Sequence, residues 1–260
     1  MIVALADAEH EHEFGGKARE LGRAERAGLP VPPGLGLSVS FVERVVQGDR
    51  SAQARLTDAF VALGAPVAVR SSGIGEDSAS ASFAGQHATV LNVRTRDGLL
   101  EAVQHVHQSA RTDAALAYRK RLGLSSEPRM GIVVQTLVAA DCAGILFTRH
   151  PLTGADERVI EGSWGLGESV VAGLVTPDRY RLARGGKLLA HELGDKDLAI
   201  LWNETGGTHE VPVEPERAAR PCLSAAQLER LDALATQCEG AFGGSQDLEW
   251  AFAGQSLFLL

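Results

Sequence analysis

The apolar positions of this chain follow a helical period early on and a strand period in much of the later part. In the early part, apolar residues recur three and four positions apart, which is typical of amphipathic helices. The helices predicted in this way begin near Ser40, Ser51 and Asp97, and two more cover residues 17–27 and 114–121. Gly28 is the expected end of the helix at 17–27, and Pro30 lies just beyond it.

Later in the chain, short apolar runs alternate with turn residues, which predicts strands and hairpins. The predicted strands cover residues 130–138, 143–147, 158–161, 179–183, 187–191, 247–252 and 256–260. We interpret the first two as neighbours around a turn at 139–141, and Gly185 with Gly186 as a hairpin turn.

Two further segments stand out in this part of the chain. Ser224 and Gln227 have the spacing of a capping box, which predicts a helix that carries Leu228 and Leu231 on one face. Residues 204–221 are interrupted by prolines, and we expect them to be the least structured stretch.

Helices cluster early and strands dominate later, so the pattern favours an α+β fold over a regular alternation of strand and helix. The chain has 260 residues, enough for a sizeable core in one bilobed domain or in two small ones. It contains no internal repeat and no low-complexity linker.

The composition narrows the classes of partner. Hydrophobic residues make up 45% of the chain and charged residues 22%, which is typical of a globular protein. The formal net charge is -8, which argues against duplex nucleic acid as a partner. An acidic protein can still bind a small anion, because nearby basic groups and a metal ion set the local field.

Cysteine usage and the absence of apolar spans favour the cytoplasm. Cys142, Cys222 and Cys238 show no CxxC spacing, and an odd count without a paired framework fits a reducing compartment. The first residues lack the basic and apolar regions of a signal peptide. No apolar run approaches the roughly 20 residues that a membrane-spanning helix needs. We therefore expect a cytoplasmic protein without a membrane segment.

Arg70 ends a short apolar strand and is followed by Ser71, Ser72 and a loop of small residues, after which a second strand covers 88–93. A guanidinium group can donate to two phosphate oxygens at once, and a Ser/Gly loop allows backbone N–H groups to approach the same anion. An arginine at a strand end can equally well only reach solvent. The loop favours the phosphate interpretation.

Asp247 and Glu249 are two positions apart in a strand-like run, so their carboxylates share one face. Like charges on a sheet face cost a few tenths to about 1 kcal/mol, and a magnesium ion bound by carboxylate and phosphate oxygens would reverse that cost. The alternative is a solvated strand face. Together with Arg70, the pair predicts a magnesium–nucleotide site.

Seven short motifs occur in a fixed order, and together they resemble one protein family. They are Phe14-Gly15-Gly16-Lys17, Gly28-Leu29-Pro30-Val31-Pro32-Pro33-Gly34, Val69-Arg70-Ser71-Ser72, Ser82-Phe83-Ala84-Gly85-Gln86, Trp164-Gly165-Leu166-Gly167-Glu168, Thr176-Pro177-Asp178-Arg179-Tyr180 and Gln246-Asp247-Leu248-Glu249-Trp250. The order resembles the nucleotide-binding domain of the phosphoenolpyruvate synthase and pyruvate phosphate dikinase family, which rifampin phosphotransferases share.

The resemblance implies an ATP-grasp fold, in which two α+β lobes clamp a nucleotide. We expect one ATP-binding domain over residues 1–260, with approximate lobes at 1–140 and 141–260. The implied cofactors are ATP and Mg²⁺.

The resemblance also implies roles for individual residues. Lys17 and Arg70 would contact the ATP phosphates and serve catalysis, although Lys17 by itself could be an ordinary surface lysine. Gly85 and Thr89 flank the exit of a small-residue loop that could close over the phosphates or be a plain connector.

The remaining implied contacts come from polar residues later in the chain. Gln135 would reach the base or sugar region of the nucleotide, unless backbone groups satisfy its amide. Glu161 would face the ribose or the metal, and Glu168 is a weaker candidate that could instead cap a helix. Asp247 and Glu249 would bind the metal, and Glu249 would also contact ATP.

The reaction implied by the resemblance passes the β- and γ-phosphates of ATP to a histidine on a swivelling domain and then to an acceptor in a third domain. Neither domain is recognisable in the 260 residues, so we expect both as partners, in cis or in trans. His209 follows a Gly-Gly-Thr run but precedes Glu210, and we do not take it as the phosphoryl acceptor.

Two interpretations stay open. The family pattern continues past residue 260 with a Gln-x-Arg-Pro run that would supply a further glutamine and arginine to ATP, so the chain could be a fragment or a separate protein with a partner. The alternative function is a nucleotide-binding sensor or regulatory module without catalysis.

Overall fold

The computed structural model describes residues 1–75, 88–121 and 127–260. These residues form helices and strands in the mixed arrangement that the sequence predicts, so the α+β class is confirmed. They fall into two compact units. The first comprises Met1–Arg26, Pro32–Leu137 and Asn203–Gly207, and the second comprises Ala27–Val31, Val138–Trp202 and Thr208–Leu260.

The helices of the described residues are α1 (Glu11–Phe14), α2 (Gly16–Arg26), α3 (Val39–Val46), α4 (Arg50–Leu63), α5 (Arg96–Ser109), α6 (Asp113–Arg121), α7 (Glu168–Val171), α8 (Pro215–Ala218) and α9 (Ala225–Phe242), with a 3₁₀ turn at Leu5–Asp7. The strands are β1 (Ile2–Ala4), β2 (Gly34–Leu37), β3 (Val67–Gly73), β4 (Thr89–Val93), β5 (Met130–Thr136), β6 (Cys142–Phe147), β7 (Glu157–Trp164), β8 (Asp178–Ala183), β9 (Leu188–Glu192), β10 (Leu198–Trp202), β11 (Thr208–Pro212), β12 (Asp247–Ala253) and β13 (Ser256–Leu259).

The first unit is built on a five-stranded sheet of order β1-β2-β5-β3-β4. Successive side chains of a strand point to opposite faces, so Val67 and Val69 share one face of β3 with Ile132 and Val134 of β5. These residues belong to one hydrophobic cluster with buried side chains of α3, α4 and α5. The other face of β3 carries Arg70.

Helices α1 and α2 pack on the face that carries Arg70, and two glycines allow the close approach. A Cβ atom on Gly131 would lie 2.2 Å from the carbonyl oxygen of Phe14. A Cβ atom on Gly15 would lie 1.8 Å from the carbonyl oxygen of Ser72. The turn between α1 and α2 therefore lies directly against the end of β3, which only glycine permits.

The second unit is built on a six-stranded antiparallel sheet of order β13-β12-β6-β7-β8-β9. One face of this sheet carries the buried side chains of Trp250, Phe252, Ile160 and Tyr180. Helix α9 is tied to the sheet through the fully buried side chain of Arg158, whose Nε donates to Asp232 at 3.0 Å. The opposite face carries Asp247, Glu249 and Glu161.

The predicted hairpins of the second unit are confirmed, but one predicted neighbour pair is wrong. β8 pairs with β9 around Gly185 and Gly186, and β12 pairs with β13. β5 and β6 do not form a hairpin: β5 pairs with β2 and β3, whereas β6 pairs with β12 and β7. The short turn at 139–141 joins two different sheets, because each strand finds partners that are distant in sequence.

The predicted helix starts lie about half a turn too late. The caps that the structure shows are Ser38, Asp49 and Thr95, where the sequence predicts Ser40, Ser51 and Asp97. Asp49 Oδ1 accepts from the backbone N–H groups of Ser51 and Ala52, at 2.9 and 3.1 Å. The apolar pattern locates the buried face, and that face begins after the cap. The capping box of Ser224 and Gln227 is confirmed.

The segment 204–221 is more ordered in structure than predicted, because it contains β11 and α8. β11 pairs with β10, a strand that the sequence pattern did not indicate, and β1 and β2 were also missed. Within the described residues, no helix combines the length and the apolar character that a membrane span needs.

Candidate functional site

Arg70 lies in the interior of the first unit's sheet and is paired with Thr89 across the β3–β4 ladder. Its other neighbour is Val133 on β5, and the residue is 9% exposed. The arginine and the threonine are thus direct cross-strand neighbours. The motif 82–86 lies outside the described residues. Gly85 lies outside the described residues, so its predicted role stays a prediction.

The start of helix α2 is fixed against the same strand. The backbone N–H of Ala18 donates to Ser72 Oγ at 2.9 Å, and Ser72 is fully buried. The first N–H groups of a helix lack intrahelical partners, so this bond satisfies one of them. Lys17 precedes Ala18, so it lies close to Ser72 near the C-terminal end of β3. The prediction that Arg70 ends its strand is wrong: Arg70 is the fourth of seven residues, because Ser71, Ser72 and Gly73 continue the pairing with β5. The helix N-terminus and the two cations favour an anion at this place.

Gln135 lies on β5, in register with Ala68 and Gly34, and on the face of the sheet that carries Arg70. Its side chain is buried, and Nε2 donates to the carbonyl oxygen of Pro32 at 3.0 Å. The backbone therefore accepts one of the two amide hydrogens, in line with the alternative that the sequence left open. A contact with the nucleotide stays a prediction for this residue.

In the second unit, the predicted acids lie on one face of the six-stranded sheet. Glu249 on β12 is opposite Ile145 on β6, Ile145 is opposite Glu161 on β7, and Glu161 is opposite Arg179 on β8. Arg179 Nη2 lies 3.0 Å from Glu161 Oε1. The charge of Glu161 is thus already matched by an arginine of the next strand.

Asp247 lies on the same face as Glu249, and its neighbour on β6 is Phe147. Partial desolvation raises the pKa of the Asp247 carboxyl above its usual value, although the residue remains exposed to solvent. Both acids therefore have apolar residues directly across on β6. A cation bound to this pair would offset the desolvation of Asp247 and the repulsion between the two carboxylates.

The donor set fits magnesium when phosphate oxygens complete it. Among residues 1–75, 88–121 and 127–260, no group of three or more His, Cys, Asp or Glu side chains could hold a metal ion alone. Magnesium is usually bound by one or two carboxylates, waters and substrate phosphates rather than by a cage of protein ligands. Asp247 and Glu249 match that type of site.

The two remaining candidates, Glu168 and His209, lie in regular secondary structure. Glu168 is the first residue of the four-residue helix α7, where a carboxylate stabilises the helix start. His209 lies on β11 opposite Leu201, and not in a loop as the sequence indicated.

Sequence reasoning missed one charged pair of the second unit. Lys196 Nζ lies 2.5 Å from Asp178 Oδ1, and both side chains are fully buried. Asp178 also accepts from the backbone N–H groups of Gly194 and Cys222 and from the hydroxyl of Tyr180. The motif 176–180 contains Asp178, but nothing in its spacing indicated a lysine eighteen positions later. The pair holds three chain segments together.

Each unit carries charged residues of the types that bind phosphates or magnesium, and the comparison with known families identifies a nucleotide-binding domain. Residues 37–260 match the family described as "Pyruvate phosphate dikinase, AMP/ATP-binding domain". The chain belongs to this family, so the resemblance read from the seven motifs is confirmed.

Similar proteins carry names of ATP-dependent phosphotransferases. A "Probable phosphoenolpyruvate synthase" of Methanothermobacter thermautotrophicus is 33% identical over 95% of this chain and 43% of its own length. A "Rifampicin phosphotransferase" of Streptomyces is 35% identical over 96% of this chain and 34% of its own length. A Bacillus subtilis protein named "Uncharacterized phosphotransferase YvkC" is 31% identical over 99% of this chain and 34% of its own length. The chain spans less than half the length of these relatives.

A comparison with solved structures gives only a distant likeness. An acetyl-coenzyme A synthetase of Ca. Korarchaeum cryptofilum has a TM-score of 0.44 and is 11% identical, covering 91% of this chain and 86% of the other. The family assignment rests on the sequence match.

Proposed function

We propose that residues 1–260 form one ATP-binding domain of the phosphoenolpyruvate synthase type, which binds Mg-ATP and passes its terminal phosphates to a histidine elsewhere. The observation that carries the proposal is the bond from Ala18 to Ser72, which fixes the start of α2 with Lys17 against β3 two residues after Arg70. The two compact units would then be the two lobes of an ATP-grasp fold.

In this proposal the first unit binds the phosphates of ATP. Arg70 and Lys17 neutralise the phosphate charge, and the N–H groups at the start of α2 contribute the helix dipole. Thr89 and Gly85 would hold the phosphates from the other strand and its loop. Gln135 would contact the base or sugar through its amide oxygen or its second amide hydrogen, because the other hydrogen is donated to Pro32.

The second unit would hold the metal. Asp247 and Glu249 are the proposed ligands, and a bound Mg²⁺ would supply charge neutralisation for the phosphates. Glu161 would contact the ribose or a metal-bound water, since its carboxylate is shared with Arg179.

The phosphoryl acceptor would be a histidine on another domain or a partner chain, followed by a third domain that binds the final acceptor. Two observations support this arrangement: the relatives that match this chain are more than twice as long, and His209 lies on a strand beside Glu210. Phosphoryl transfer needs the acceptor held in line with the leaving group, so the isolated chain would turn over little ATP.

The test is nucleotide product analysis with the chain alone and then with a histidine-bearing partner domain from a relative. We expect AMP and a phosphorylated partner histidine only in the second reaction. Tight ATP binding with no AMP in either reaction, across partners from several relatives, would favour the alternative of a non-catalytic sensor module. Rapid AMP formation by the chain alone, with phosphate on His209, would contradict the proposal.

A further inference from the structure

We propose that Glu11 is a positioning residue for nucleotide binding, because it ties the exit of β3 to the helix that carries Lys17. This inference rests on the proposed function. Glu11 is the first residue of α1 and belongs to none of the seven sequence motifs. The role follows from the contacts of its two carboxylate oxygens.

The carboxylate of Glu11 connects two segments that are far apart in sequence. Oε1 accepts a hydrogen bond at 3.2 Å from the backbone N–H of Gly75, 64 positions later. Oε2 forms an ion pair with Arg19 Nη1 on α2. Gly75 lies five residues after Arg70, and Arg19 lies two residues after Lys17. One side chain thus links the segments on which both proposed phosphate ligands lie.

A second set of contacts joins the chain next to Gly75 to helix α1 by way of Arg129. The N–H of Ile74 donates to the carbonyl oxygen of Arg129 at 3.1 Å, and Arg129 Nη2 donates to the carbonyl oxygen of His12 at 3.3 Å. The chain around Gly75 is therefore held to α1 at two neighbouring positions. Unlike Arg129, Glu11 contacts both Gly75 and helix α2 through one side chain.

The backbone just before β4 has a comparable anchor. The N–H of Ala88, the residue before Thr89, donates to Ser109 Oγ at 3.1 Å. The hydroxyl of Ser109 donates its own hydrogen to the carbonyl oxygen of Val106 at 2.7 Å, so a lone pair faces Ala88. Side chains of α1 and α5 thus hold the backbone of Gly75 and of Ala88.

The physical consequence is preorganisation. Fixing the backbone at both ends of a loop removes conformations that would otherwise be lost on binding, and this lowers the entropic cost of ordering the binding residues. A carboxylate close to phosphates would normally repel them. Here Arg19 lies between the carboxylates of Glu11 and Glu20, and Arg23 lies 3.9 Å from Glu20, so two arginines balance the two acids.

The experiment compares ATP dissociation constants of Glu11→Ala and Glu20→Ala in the full chain by calorimetry. Glu20 is the matched control, because it also forms an ion pair with Arg19, at 2.6 Å, but its side chain makes no contact with Gly75. We expect Glu11→Ala to weaken ATP binding about 3- to 10-fold relative to Glu20→Ala. Amide exchange at Gly75 should accelerate only in the Glu11 variant.

A conservative variant separates positioning from general loss of stability. Glu11→Gln keeps an oxygen acceptor for Gly75 without the charge, so its affinity should lie between those of the wild type and Glu11→Ala. Equal ATP affinity in Glu11→Ala and Glu20→Ala would overturn this inference while the proposed function stands. Wild-type protein that binds no ATP would overturn both.

Discussion

Glu249 and Glu161 lie in one cross-strand row of the second unit's sheet, with Ile145 between them. Neighbouring strands are about 4.8 Å apart, so the two backbones are about 10 Å apart along this row. Glu161 is paired with Arg179 on its far side, whereas Asp247 lies on the same strand as Glu249. The metal hypothesis therefore centres on Asp247 and Glu249, and Glu161 is better placed for a neighbouring contact.

ATP affinity should depend on magnesium through these two acids. In the wild type, removing Mg²⁺ with a chelator should weaken ATP binding, because the carboxylates then repel the phosphates. The double variant Asp247→Asn, Glu249→Gln should bind ATP with nearly the same affinity with and without Mg²⁺. Glu192→Gln, at the far end of the same row, is the control and should keep the wild-type dependence. The measurement is calorimetry of ATP binding with and without Mg²⁺. Equal wild-type affinities under the two conditions would exclude a metal role for Asp247 and Glu249.

Replacing Arg70 should cost more than replacing another arginine of the first unit. A hydrogen bond to a charged group contributes about 1.5–3 kcal/mol, so Arg70→Ala should raise the ATP dissociation constant about 10- to 150-fold. Arg50→Ala removes the same charge from the start of α4 and should leave the constant within about 2-fold. An unchanged constant in Arg70→Ala, measured on folded protein, would remove Arg70 from the site.

The contact between α9 and its sheet should weaken in acid. Partial burial would raise the pKa of Glu239, but hydrogen bonds from Arg184, Arg158 and Thr148 outweigh it and hold the pKa at about 2. Because the folded pKa lies below the unfolded value of 4.5, the ionised group stabilises the fold above about pH 4.5. That contribution, about 1–2 kcal/mol after solvent screening, is lost as the pH falls toward 2.

Melting temperatures between pH 5 and pH 2 test this expectation. Glu239→Gln should lower the melting temperature near pH 5 and show a flatter decline below it. A Gln variant that loses stability with pH as steeply as the wild type would assign the acid sensitivity to other groups.

Replacing only one partner of the buried pair of Asp178 and Lys196 should lower the free energy of unfolding. Lys196→Met leaves the Asp178 carboxylate buried without its cation, and loss of one partner of a buried pair costs about 3–5 kcal/mol. The double variant Asp178→Asn, Lys196→Met should recover part of that loss, because no charge is left unpaired. Urea unfolding of the three proteins measures the difference. A single variant as stable as the wild type would show that the pair contributes nothing.

The sequence predicted those features that depend on residues close together along the chain. The capping box at Ser224 and Gln227 and the two-glycine turn depend on residues a few positions apart, and both are confirmed. The helix starts were misplaced because Ser38, Asp49 and Thr95 precede the apolar face that the periodicity detects.

Partners across the sheets could not be predicted from the sequence alone. A strand's pattern shows which face is buried, but it does not show its neighbour, so β5 and β6 were paired wrongly. For the same reason the row from Glu249 to Arg179 and the pair of Asp178 and Lys196 emerged only from the structure. The sequence motifs identified the residues of the candidate site, and the strand pairing in the structure shows which of them are neighbours.

The close fit of Gly15 against Ser72 makes a residue without a functional group a determinant of the phosphate site. Any side chain there would have to push the first turn of α2 away from β3, and Lys17 would move with that turn while Arg70 stayed in its ladder. The spacing of two positive charges is thus set by the absence of a single methyl group. A substitution at Gly15 would therefore separate the two positive charges and weaken their match to a bound anion. The net charge of the protein would stay the same.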